Sequence, residues 1–228
     1  MDDQKAVVDP FGGLMAPWQN AQQPMLEVIR WSQFPSYGQT LVEHNSSLPL
    51  VVLWVQSRLI QYEDIDWALL FQTAAVHDHG EPLTGGDENE YTKTPDKERR
   101  EYEAFSQLIS GADQNYRNLL MKAFLLPYVR KQHWWPSFLE ADRVMVQELA
   151  GCRGVEALLF EAVERLDYLA SAVMGHRQGI RNDRETMIDH VLGNQVPKLD
   201  RLAVEYRPFA EYVWTPRLRE LFLALGSG

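Results

Sequence analysis

Apolar residues recur at spacings of three and four along almost the whole chain after its first two dozen positions, and stretches of strict alternation are scarce. That periodicity predicts an all-α protein. A helix is expected from about 41 to 59, its buried stripe formed by His44, Leu48, Val51 or Val52, Val55 and Leu59. Pro49 inside it predicts a kink or a later start. From 64 to 77 the stripe Trp67, Phe71, Ala74, Asp78 has the same spacing, and further helices are expected near 113–130, 137–149, 155–177, 184–206 and 215–225. Within 155–177 the stripe is Phe160, Val163, Asp167, Ala170 and Met174. Three helices therefore carry His44, Asp78 and Asp167 on faces that should point inward, where an ionised group costs several kcal/mol unless it is paired or ligates an ion.

Breakers divide the pattern. Pro10, Gly12, Gly13 and Pro17 make residues 1–23 an N-terminal arm, and Pro24 suits the first turn of a helix. Phe34-Pro35-Ser36-Tyr37-Gly38 interrupts the chain before the first long helix, and a loop is expected at 79–94. After it, Pro95 and the charged run at 96–103 read as a helix start with a solvated face. The domain organisation that follows is a helical core over 24–180, with residues 181–228 as a C-terminal helical extension packed on it. No internal repeat or low-complexity tract is visible.

Composition narrows the function classes. A chain of 228 residues is long enough to bury a sizeable core without staples, and its one cysteine, Cys152, allows no intrachain disulfide. The net charge of −10 argues against a protein whose main task is gripping a nucleic-acid backbone. The acidic start and the lack of a long apolar run predict neither a signal peptide nor a membrane span, hence a cytoplasmic protein with no membrane partner. Cys152 lies beside Arg153 and Gly154 with no partner histidine, so nucleophilic catalysis is not expected from it. Glycine-rich nucleotide loops of the dinucleotide and Walker types are absent from the sequence.

Against that background the segment 74–87 stands out, because it sets His77, Asp78, His79, Glu81 and Asp87 at the end of an apolar helix and in a glycine-rich loop. Imidazole nitrogens and carboxylate oxygens converging from several elements suit one divalent cation: Mn, Co, Fe, Ni, Zn or Mg. His44, His77, Asp78 and Asp167 supply two nitrogens and two oxygens. Asp142 is the fallback for Asp167, which has Arg165 and Arg177 as alternative partners.

Arg30-Trp31, Glu43-His44, His77-Asp78-x-x-Glu81-x-Leu83-Thr84-Gly85, Lys93 and Asp167 form an ordered set over residues 25–175. This set resembles the HD-domain phosphohydrolases, most closely the branch of 5'-deoxynucleotidases. The resemblance implies a single-domain HD-type helical bundle with extra C-terminal helices, and His44, His77, Asp78 and Asp167 as the metal ligands. It further implies Glu81 as the catalytic acid, and Arg30, Trp31, Thr84 and Lys93 as contacts to a deoxyribonucleoside 5'-monophosphate from which phosphate is released. The sequence departs from the family at Thr84-Gly85-Gly86-Asp87, which has one glycine more than the family's Thr-Gly-Asp. Two rival readings are an HD-type deoxynucleoside triphosphate triphosphohydrolase and a non-catalytic nucleotide-binding HD protein. A homodimer is expected through the tail helices and the aromatic segment His133-Trp134-Trp135-Pro136.

Overall fold

Thr40 opens the first long helix, α1 (Leu41–Leu59), with a reciprocal cap: its hydroxyl accepts from the Glu43 amide and the Glu43 carboxylate accepts from the Thr40 amide at 2.7 Å. Such a box satisfies two of the helix's orphan donors and fixes where the 3.6-residue period begins. The buried face is then Leu41, His44, Leu48, Val52, Val55 and Leu59, with Val52 rather than Val51 turned inward. Helical structure runs through Pro49 without a later start.

In the computed structural model the described residues are 21, 24–30, 39–85, 94–181 and 186–225, and among them the protein is helical with no strand. After α1 come α2 (Trp67–Val76), α3 (Pro95–Leu108), α4 (Gln114–Leu125), α5 (Glu140–Cys152), α6 (Gly154–Arg177), α7 (Met187–Glu205), α8 (Arg207–Tyr212) and α9 (Pro216–Leu225). Short 3-10 turns cover Glu81–Thr84, Leu126–Arg130 and Gln132–Ser137. No described helix is long and apolar enough to cross a membrane.

The centre of the bundle is α6, which packs against α1, α2, α7 and the Leu126–Arg130 turn. Buried residues lie nearly all round it, among them Leu159, Phe160, Ala162, Val163, Leu166 and Leu169, as expected of a helix enclosed on every side. Each such aliphatic or aromatic side chain contributes roughly 1.5–3 kcal/mol on burial. The C-terminal helices share this core, with Val191, Val196 and Leu199 of α7, Phe209 of α8, and Trp214 in the same apolar cluster. At the other end, buried Glu156 of α6 accepts from the Asp66 amide at 2.9 Å, while Asp66 caps α2 through Leu69. The start of α2 is thereby tied to the start of α6. Of the N-terminal arm expected at 1–23, all but Ala21 lies outside the described residues, and Ala21 is buried with Met25 and Leu41.

Three expectations are refined by the structure. The helix expected over 113–130 ends at Leu125 and continues as a 3-10 turn, because Pro127 has no amide to donate to the α-helical ladder. The charged run at 96–103 is solvated on one side only: Asp96, Arg99, Arg100 and Glu103 are exposed, whereas Lys97, Glu98 and Glu101 are only 2%, 3% and 3% exposed. Lys97 reaches the turn that follows α2, where its Nζ donates to the Thr84 carbonyl at 3.2 Å. Trp134 and Trp135, expected at a partner surface, pack half-buried against the protein's own core, and Trp135 Nε1 donates to the Tyr128 carbonyl at 2.8 Å.

Asp142 of α5 is buried, and its carboxylate accepts from the Tyr102 hydroxyl at 2.5 Å, which in turn accepts from the Leu139 amide at 3.1 Å. Burial and the Asp142 bond push the Tyr102 phenol up to about 12 from its ordinary 10.0. A raised folded-state value means stability that is complete below the unfolded value and lost as pH rises through the folded one. Tyr102→Phe should therefore cost about 1–3 kcal/mol in urea unfolding at neutral pH, since it orphans the buried carboxylate. The gap to the wild type should close between about pH 10 and about 12. Equal stability of the two proteins at pH 7 would contradict this account.

Candidate metal centre

The site is assembled from helix ends and helix faces. His44 is placed by the capped start of α1, one turn in from Thr40. Just outside the cap, Ile29 pairs with Thr40 in an isolated antiparallel bridge, and the Arg30 amide donates to the Gln39 carbonyl at 2.8 Å. That pairing carries Arg30 alongside α1, where its side chain is buried.

His77 forms the C-cap of α2, and Asp78 follows in the turn. Gly80 lets this turn lie against α3: a Cβ there would sit 2.3 Å from the Glu101 carbonyl oxygen, which no side chain can relieve because the clash is with backbone. The turn then passes into Glu81–Thr84 and ends at Gly85, whose φ of 104° is the left-handed conformation that glycine adopts without strain. Glu81 is half-buried, its amide donating to the Asp78 carbonyl at 3.1 Å.

Asp78 sits between two imidazoles, with its Oδ2 3.3 Å from His44 Nε2 and 3.1 Å from His77 Nε2. One atom from each of His44, His77 and Asp78 lies within 4.8 Å of the others. Behind His44, Asp167 Oδ2 is 2.7 Å from Nδ1, and its Oδ1 accepts from the Ser47 hydroxyl at 2.6 Å. Asp167 thus meets His44 on the ring nitrogen opposite Asp78 and is not part of the convergent trio. Tyr168 stacks on His44 at 6.4 Å between centroids, and the Arg30 guanidinium lies 5.1 Å over the Tyr168 ring while donating to its hydroxyl at 3.0 Å. His77 is packed edge-on against Phe160 at 5.0 Å, with Glu164 Oε1 3.7 Å from its Nε2.

These contacts set the charges. Burial pulls the His44 imidazole down, as does Arg30, but the bond to Asp167 and the nearby Asp78 carboxylate outweigh them and its pKa is raised. Burial pushes the Asp78 carboxyl up, yet His77 and His44 win and hold it well below the usual carboxylate range. Asp167 is likewise lowered against burial, by His44, Ser47 and Arg30. Burial, then His77, lowers His79 to about 4, leaving it a neutral packing residue at pH 7.

An ionised carboxylate only accepts, so Asp167 accepts from His44 Nδ1, and the other ring nitrogen, Nε2, faces Asp78. Neither His44 Nε2 nor His77 Nε2 makes a hydrogen bond, although both are buried and the Asp78 oxygen is close. Two ring nitrogens and a carboxylate oxygen turned toward one another from separate elements are the donor arrangement a cation satisfies. The His44–His77–Asp78 group can hold a metal ion.

Of the other residues expected at the site, Thr84 is half-buried and donates its hydroxyl to the Glu81 carbonyl at 3.0 Å, closing the 3-10 turn. Asp142 is engaged by Tyr102 and is not in the metal-binding trio. Trp31, Lys93, Gly86 and Asp87 lie outside the described residues. Sequence reasoning missed Ser47, Glu164, Tyr168 and Lys97. Ser47 and Glu164 carried a readable signal, each three residues from a proposed ligand on a helix and therefore on its face. The chain matches no protein-family model, no curated protein and no solved structure.

Manganese or zinc titration followed calorimetrically should give one ion per chain. His77→Ala should abolish it, and Asp167→Asn should weaken it about 10–100-fold, as loss of a carboxylate that orients a ligating histidine does. Undiminished binding in His77→Ala would rule out this centre.

Proposed function

We propose that the protein is a metal-dependent phosphohydrolase that releases phosphate from deoxyribonucleoside 5'-monophosphates. The observation carrying the reading is the convergence of buried His44 with half-buried His77 and Asp78 at the end of α2, with a carboxylate, Glu81, one turn further on. The resemblance of the ordered residue set to HD-domain 5'-deoxynucleotidases supplies the substrate class.

In this reading His44, His77 and Asp78 hold one divalent ion, and Asp167 orients His44 or completes the set. The ion supplies Lewis acidity toward a phosphoryl group and lowers the pKa of water. Arg30, fixed on Tyr168 close enough to bias both His44 and Asp167, offers the phosphate a positive charge. Glu81 takes a proton from the attacking water and returns it to the leaving 5'-oxygen. The water oxygen forms the new P–O bond, the bond from phosphorus to the 5'-oxygen breaks, and the products are a deoxynucleoside and inorganic phosphate. Because phosphoryl transfer depends mainly on positioning and electrostatics, these groups suffice for its chemistry. Thr84 faces the sugar, while Trp31 and Lys93 contact base and phosphate.

A panel of nucleoside mono-, di- and triphosphates, assayed for phosphate and tripolyphosphate with added metal, tests this reading. Inorganic phosphate from deoxyribonucleoside monophosphates is expected. Glu81→Ala should lower the rate about 10²–10⁴-fold while one ion still binds. Tripolyphosphate as product, or no turnover of any nucleotide by folded, metal-loaded protein, would overturn it.

A further inference from the structure

Glu81, which carries the proton in the proposed reaction, stands on a short element. Its 3-10 turn, Glu81–Thr84, has four residues, none of them fully buried. Pro82 brings no amide donor, and the bonds that close the turn are local: the Thr84 hydroxyl and the Gly85 amide both donate to the Glu81 carbonyl. Such turns have poorer hydrogen-bond geometry than an α-helix. The placement of Glu81 therefore depends on what grips the turn from outside.

Helix α3 packs on this turn and grips it at two points that bracket Glu81. Just before it, Gly80 lies so close to the Glu101 carbonyl oxygen that a Cβ would come within 2.3 Å. At the other end, Lys97 Nζ donates to the Thr84 carbonyl at 3.2 Å. Lys97 is itself fixed in place, because Thr94 caps α3 by accepting from the Lys97 amide and Pro95 occupies the first turn. A lysine is almost never enclosed as completely as this one unless it is paired. Its Nζ also lies 3.9 Å from the carboxylate of Glu101, so the residue that meets Gly80 and the residue that holds Thr84 are joined.

We propose that Lys97 is a positioning residue for the candidate centre: by holding the Thr84 carbonyl it clamps the Glu81–Thr84 turn to α3 and keeps Glu81 where proton transfer needs it. Misplacing a catalytic group by about 1 Å costs on the order of 10² in rate, so a bond to the backbone of its turn acts on the reaction without touching it. The effect on rate rests on the hydrolase reading, whereas the effect on the turn does not.

Amide hydrogen exchange and steady-state kinetics on Lys97→Met and Lys97→Arg test it. In Lys97→Met the Gly85 amide, which closes the turn on Glu81, should exchange about tenfold faster or more, while the His77 amide at the end of α2 and the binding of one manganese ion are unchanged. For the best deoxyribonucleoside monophosphate, kcat should fall about 10–100-fold with KM within about threefold of the wild type. Lys97→Arg, which keeps donors at the end of a long side chain, should recover most of both losses. The assignment is overturned if Gly85 exchange is unchanged, or if it accelerates together with that of His77, since the lysine then holds the whole fold rather than this turn. It is also overturned if KM rises as far as kcat falls, or if Lys97→Arg behaves as Lys97→Met does. A wild type that turns over no nucleotide defeats the hydrolase reading instead, and the exchange of Gly85 against His77 still decides whether Lys97 holds the turn.

Discussion

The arrangement around Asp78 is the constraint on which the rest of the site depends. A carboxylate that is nearly enclosed, with its side chain 13% exposed, is held between two imidazole nitrogens that make no hydrogen bond to it. Burying such a set costs several kcal/mol unless a counter-charge is present. The surrounding structure keeps it in place: the capping box that starts α1, the Asp66–Glu156 tie between α2 and α6, and the close backbone approach at Gly80 each hold one donor in position. Asp167 contributes by holding His44 through Nδ1 on the far side of its ring, so Nε2 faces Asp78.

Helical class and most element positions were legible because apolar spacing reports which face is buried. The stripe of α1 appears as expected, and the ligand-type residues His44, Asp78 and Asp167 do meet. What periodicity could not reveal is how one element closes on another. Lys97, Glu98 and Glu101 look solvated by composition and become buried because α3 lies on the turn after α2. The placement of Asp167 was equally invisible: an aspartate on an inward stripe is compatible with ligation or with gripping a histidine, and the structure sets it on His44 Nδ1. Trp134 and Trp135 pack half-buried against the protein's own core, a placement that apolar spacing in a short turn does not report.

Two electrostatic environments adjoin along α6. At one Asp78 and Asp167 meet the histidines, and at the other lysines and arginines line a cleft together with Glu161, Glu164 and Glu205. Phe160 and Glu164 belong to both. The protein's overall acidity therefore says little about its ligands, because local clustering governs what each site attracts.

The central claim is that His44, His77 and Asp78 are ligands of one ion. Anomalous diffraction at the manganese edge, from crystals grown with that metal, examines it without reference to any activity. The account predicts a single strong peak within bonding distance of His44 Nε2, His77 Nε2 and the Asp78 carboxylate, with Asp167 still on His44 Nδ1 or drawn in as a fourth ligand. An ordered site with no anomalous peak among these residues at saturating metal, or a peak held elsewhere on the chain, would contradict it.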